Sequence, residues 1–220
     1  MSKVIGFGEK VDGYEIPVLN EREIRAAAGI LFVWAFLAVL MAIMKGSFVM
    51  LKYFILAFLA DFIVRVFVNP KYSPTLIIGR LIVRRQVPEY VGAAQKKFAW
   101  VIGLILVLIM LVLVVFVNSF SPITGLICLI CLIFLLFESA FGICLGCLFY
   151  GWYYGKKARY CPGEVCEVRN RHEIQRISGA QMLIVLGFIV FIVLSVSLFQ
   201  EKFSETPQDL FKIIKSAQAQ

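Results

Sequence analysis

Charge is scarce in this chain: Asp, Glu, Lys and Arg make up 16% of its 220 residues, against 61% hydrophobic residues and a mean hydropathy of +0.89. So little charge excludes a soluble globular domain, and the chain reads as a single integral membrane domain. A secretory signal is also missing ahead of the first apolar run, because residues 1–25 are polar and carry nine charges. That run is expected to stay as a membrane helix. Walker, Rossmann, metalloprotease and serine-hydrolase patterns are absent, as are a convincing internal repeat and any low-complexity segment. Histidine occurs once, at His172, in a charged loop where solvation accounts for it. The formal charge of +8 comes from basic residues in loops between apolar spans, so it implies a membrane and not nucleic acid.

What the sequence does contain is a set of long apolar runs, 26–44, 48–68, 98–117, 123–150 and 177–199. Each is near or above the roughly 20 residues needed to cross about 30 Å of hydrocarbon. The expected fold is therefore an all-α membrane protein with about five transmembrane helices within 21–199, a polar arm over 1–20 and a tail over 200–220. Asn20 followed by Glu23 has the spacing of a capping box, which starts a helix near Glu21. Lys45-Gly46-Ser47 is short enough to make the first two spans antiparallel. Two prolines, Pro70 and Pro74, end the second span. Ser73 as N-cap and Pro74 at the first position then open a short amphipathic helix, in which Ile77, Ile78, Leu81 and Ile82 oppose Arg80, Arg84 and Arg85. That pattern suits a helix lying in the interface over anionic lipid. The apolar run starting at Ile123 continues to Tyr154, so it either projects from the bilayer or bends near Gly142 and Gly146. Glycines four apart there allow a neighbouring helix to come close. With the N-terminus inside, sixteen Lys and Arg face the cytoplasm against five outside, which favours N-in and C-out.

Chemistry concentrates between Glu138 and Cys166. All six cysteines fall in 128–166, as Cys128-x-x-Cys131, Cys144-x-x-Cys147 and Cys161-x4-Cys166. Cys128 and Cys131 read as packing residues, since membrane cysteines are small and inert unless activated. Cys144 and Cys147 share a turn with Gly146 at a polar boundary, where helix-terminal thiols can form a disulfide or become reactive. Two chemistries fit them: thiol, disulfide or sulfane-sulfur exchange with Cys161 and Cys166 resolving, or a four-thiolate site for zinc or iron on Cys144, Cys147, Cys161 and Cys166. Glu138 lies six residues before Cys144, nearly two turns away, so it reaches that thiol only if the helix bends. Paired with Arg65 it would be structural; unpaired and desolvated it could relay protons, as in a transporter. Asp61 and Arg65 lie four apart on one face of the second span and form an expected intramembrane pair, with Arg65 snorkelling. A quinone-linked thiol oxidoreductase is a further alternative.

An Arg-x-x-Ala start to the first span (25–29), Asp61 and Arg65, Asn69-Pro70-x-x-Ser73-Pro74, and Glu138 with Phe141-Gly142-x-Cys144-x-Gly146-Cys147 together resemble the bacterial membrane family catalogued as domain of unknown function 4395. The likeness covers roughly 20–152. It implies a helical inner-membrane domain associated with sulfurtransferase or thioredoxin-like partners, with the redox role falling on Cys144 and Cys147 by position. Cys161, Cys166 and the last span are additions to that core of about four helices.

Overall fold

The computed structural model describes residues 7–154, 177–209 and Ile214. A short strand β1 (Val18–Asn20) leads into α1 (Glu21–Lys45), and Asn20 caps the helix by accepting from the Arg22 backbone N–H at 3.2 Å. Glu23 meets the Asn20 side-chain amide at 3.0 Å, where a strict capping box would use the backbone N–H. Gly46 ends α1 in the left-handed region, at φ 63, and the chain turns back into α2 (Val49–Ile63). The helix widens to π geometry over Val64–Val68 before a single 3₁₀ turn at Pro70–Tyr72. Ser73 and Pro74 then start α3 (Pro74–Val83) as N-cap and first residue.

Strand β2 (Tyr90–Gly92) pairs antiparallel with β1, placing Val18 opposite Gly92 and Asn20 opposite Tyr90. Because β2 runs straight into α4 (Ala93–Met110), this ribbon sets the first turns of α1 and α4 side by side. Helix α4 continues as π-helix over Leu111–Phe116. After β3 (Ser119–Phe120) come α5 (Pro122–Leu136), a π segment (Phe137–Phe141) and α6 (Leu145–Tyr154). Helix α7 (Gly179–Ser204) and the strand β4 (Gln208–Asp209) complete the described chain, with β4 parallel to β3. At that end the buried Lys52 donates to Asn118 Oδ1 at 2.7 Å and to the Glu205 carbonyl at 3.1 Å, which fastens α7 to the bundle.

Among the described residues, four helical stretches are long and apolar enough to cross a membrane: Glu21–Lys45, Ala93–Phe116, Pro122–Phe141 and Gly179–Ser204. The second apolar run adds 15 residues of α-helix and 5 of π-helix, and carries Lys52, Asp61 and Arg65 within it. Large side chains such as Phe36, Ile105, Leu126 and Leu186 point outward, as a lipid-facing surface requires. Inside, Ile24, Ala28, Leu31, Ala35 and Ala38 of α1 join Phe54, Phe58 and Phe62 of α2 and Trp100, Leu104 and Val107 of α4 in one core.

Two expectations are refined. Helix α3 lies tight on α1, because a Cβ at Gly79 would stand 2.6 Å from the Glu23 carbonyl oxygen. Arg80 consequently turns inward and pairs with Glu23 at 3.0 Å, leaving Arg84 and Arg85 exposed. The run after Ile123 does bend: the π segment ends at Gly142, whose φ of 66 breaks the helix before α6 begins.

Candidate functional site

The β1–β2 ribbon brings an acid and a base together at the start of their helices. Glu21 opens α1, Lys96 lies in the first turn of α4, and Lys96 Nζ stands 2.8 Å from Glu21 Oε2. A second carboxylate arrives from the π segment, with Glu138 Oε1 at 2.7 Å from the same ammonium. Lys96 and Glu21 are buried, and Glu138 is nearly so. Burying an ammonium costs several kcal/mol unless it is paired, and two carboxylates here supply the pairing. The structure thus gives Glu138 to Lys96, and not to Arg65.

The helix break does the rest. A π turn adds a residue to the helical repeat and often marks a functional position. The reversal at Gly142 then turns the chain back, and Cys147 N–H bonds the Cys144 carbonyl at 3.0 Å. Helix α6 lies directly on α4, since a Cβ at Gly146 would come within 2.4 Å of Ala99 Cβ. By this route Glu138 and Cys144, six residues apart in sequence, line one cavity of about 40 Å³ together with Cys131, Trp100 and Phe62. That volume holds a water molecule or an atom of similar size. Cys144 is 8% exposed and Cys147 half-buried, and both are free thiols within the electrostatic reach of Lys96. The Cys147 thiol is pushed well above the ordinary range, first by its hydrogen bond with Cys144 and then by burial. Lys96 pulls it down and Glu138 adds to the rise.

The remaining candidates fall elsewhere. Arg65 Nε bonds Asp61 Oδ2 at 2.7 Å, while Ser73 Oγ donates to Asp61 Oδ1 at 2.7 Å and Thr75 donates from both N and Oγ1 to the same carboxylate. The Arg65 guanidinium lies over the rings of Phe62 and Trp100, 4.7 and 5.1 Å from their centroids. It is buried, not snorkelling, and the satisfied network reads as a brace between α2 and the start of α3. Cys128 and Cys131 line a second, apolar cavity of about 30 Å³. Cys128 also borders an apolar cavity of about 410 Å³ at the far end of the bundle, beside Phe48, Phe120 and Ser121. Cys161, Cys166 and His172 lie outside the described residues. Among the described residues no group of three or more His, Cys, Asp and Glu is placed to hold a metal.

Sequence reasoning counted Lys96 among the loop charges, and it read Glu21 and Glu23 only as the start of a helix and Arg80 only as the polar face of an amphipathic one. A signal was present. Ala93, Lys96, Trp100, Leu104 and Val107 are spaced by three and four, one buried stripe of α4. Glu21 stands likewise in the stripe of Ile24, Ala28, Leu31 and Ala35.

A family model described as Domain of unknown function (DUF4395) matches residues 19–154, from the ribbon through the end of α6. The chain belongs to that family. The matched stretch takes in every residue of the Glu21, Lys96, Glu138, Cys144 and Cys147 cluster, so the cluster lies wholly within the DUF4395 domain, while α7 and β4 lie beyond it. No curated protein and no solved structure matches the chain.

Proposed function

We propose that this multi-pass membrane protein handles sulfur through Cys144 and Cys147, by thiol–disulfide exchange or by carrying a sulfane sulfur, with a soluble thioredoxin-like or sulfurtransferase partner. The observation that carries this reading is a thiol pair beside a buried lysine, with Cys144 and the lysine's own carboxylate partner, Glu138, lining one small cavity. The basic count of the loops supports placing this end of the bundle at the cytoplasmic face of a bacterial inner membrane.

Of the two versions, transfer of a single sulfur atom suits the geometry better, because Cys144 is 8% exposed and its cavity has the size of one atom or water. In that version the Cys144 thiol gives its proton to Glu138 and the thiolate attacks the outer sulfur of a donor persulfide, R–S–SH. The donor S–S bond breaks, a new S–S bond forms as Cys144–S–SH, and the donor leaves as the thiolate R–S⁻. Lys96 balances the negative charge that passes through the site. Cys147 is the neighbouring thiol to which the sulfur can move: its proton passes to the departing Cys144 sulfur as the Cys144 S–S bond breaks and the Cys147 S–S bond forms.

A quinone-linked variant has a cavity of suitable volume in the bundle, but it adjoins Cys128 and not Cys144. The test is to expose the full-length protein in nanodiscs, without oxygen, to a small-molecule persulfide and to map added sulfur by mass. One sulfur on Cys144, lost in Cys144→Ser and retained in Cys128→Ser and Cys131→Ser, is the expected result. No added sulfur on folded wild-type protein, or sulfur on Cys128 and Cys131 instead, overturns the reading.

A further inference from the structure

A second, polar cavity of about 390 Å³ opens outside the thiol site, lined by Arg22, Arg25, Gln86, Glu89 and Ser139 among others. Two guanidinium groups from the first turns of α1 face it, three residues apart and so on one side of the helix. Arg22 is engaged with Glu89 at 2.6 Å and Gln86 at 3.2 Å, yet its Nε is buried without a partner among the described residues. Arg25 is less satisfied. No described carboxylate lies within ion-pair distance of it, and its one described hydrogen bond, to the Ala140 carbonyl, is stretched to 3.4 Å.

The Arg25 guanidinium is held in place all the same. It packs against Gly142, where a Cβ would stand 3.0 Å from its nearest nitrogen, so the glycine that breaks the helix also makes room for the arginine. Two guanidiniums and one carboxylate leave the cavity with a net positive charge, and a planar fork with open donors is suited to an oxyanion.

We propose that the cavity between Arg22, Arg25, Gln86 and Ser139 is a binding site for an oxyanion of the phosphate class, with Arg25 as its principal ligand. The anion takes the place beside Arg25 where no described carboxylate stands within ion-pair distance, with Arg22 on the same wall of the cavity. A lipid phosphodiester headgroup and a free phosphate share this chemistry. The site stands independently of sulfur handling at Cys144.

The test uses the full chain in two kinds of nanodisc. In discs of phosphatidylcholine alone, inorganic phosphate is titrated and binding is followed by calorimetry. In discs containing phosphatidylglycerol, bound lipid is counted by native mass spectrometry after detergent release. Saturable binding in the first arm assigns a soluble anion, and retained phosphatidylglycerol in the second assigns the headgroup; either supports the site. Arg25→Gln is expected to weaken the positive arm about tenfold, the worth of one charge-assisted contact. Exposed Arg84→Gln and Arg85→Gln are expected to leave it unchanged. Should Arg25→Gln fail to fold, Gln86→Glu places a second carboxylate at the cavity from an exposed position and is expected to weaken binding comparably. No binding in either arm, or equal losses in the Arg84 and Arg85 variants, overturns the proposal. Cys144→Ser is expected to leave anion binding intact, which separates failure of this site from failure of the sulfur reading.

Discussion

Lys96 is the residue whose removal should be felt most. It is buried and holds two carboxylates at 2.8 and 2.7 Å. Lys96→Met leaves both acids without their cation, and breaking a buried pair in this manner costs about 3–5 kcal/mol. A thermal melt in nanodiscs should therefore show a large drop in midpoint for Lys96→Met and a smaller one for Glu138→Gln, which leaves the Glu21 pair intact. The Cys147 thiol carries a pH prediction with a definite sign. Because hydrogen bonding to Cys144 and burial raise it, Cys147 stays protonated where an ordinary thiol ionises, near pH 8.5. Its alkylation should be slow at neutral pH and should still be rising beyond pH 9, in contrast to a solvent-exposed cysteine that levels off. These side-chain partnerships were the least legible part of the sequence. Glu138 could be seen to need a cation, but whether Arg65 or Lys96 supplied it depended on how α4 meets the π segment, which no local pattern states. The stripe spacing of Lys96 was readable, yet its neighbours Gln95 and Lys97 made it resemble one more loop charge.

At the scale of elements, the site depends on how closely α6 lies against α4. Gly146→Ala would set its new methyl within 2.4 Å of Ala99 Cβ, an overpacking expected to cost about 1–3 kcal/mol and to displace Cys147. Adding Ala99→Gly should restore part of the loss, and a double-mutant cycle on thermal stability measures the coupling. Equal losses in the single and double variants would show that the contact is not the cause. Helices themselves were legible, because an apolar run near 20 residues has no other way to satisfy its backbone in lipid. So was the start of α3, where Ser73 and Pro74 act as cap and first residue. The bend near Gly142 was open to a second reading, since a long apolar run can also project from the bilayer. The inward turn of Arg80 was not legible, because amphipathic spacing assigns every arginine to the outer face unless a partner such as Glu23 is already known.

For the molecule as a whole, the two ends of the bundle are built differently. One end gathers Glu21, Glu23, Lys96, Arg80 and Glu138 around the β1–β2 ribbon, and the thiol pair sits against it. The other end is closed by Lys52, Asn118 and the β3–β4 pair, with a large apolar cavity beneath. Charge and sulfur thus share one end, and the proposed role requires them to act on each other. The most direct measurement is the residue-resolved alkylation rate of Cys144 and Cys147 in folded wild-type, Lys96→Met and Glu138→Gln proteins at one fixed pH. At Cys147, loss of the lysine should slow alkylation and loss of the glutamate should quicken it, because Lys96 favours that thiolate and Glu138 opposes it. Rates that stay unchanged in both folded variants, or that move in the same direction, would mean that the thiol pair is only scaffold.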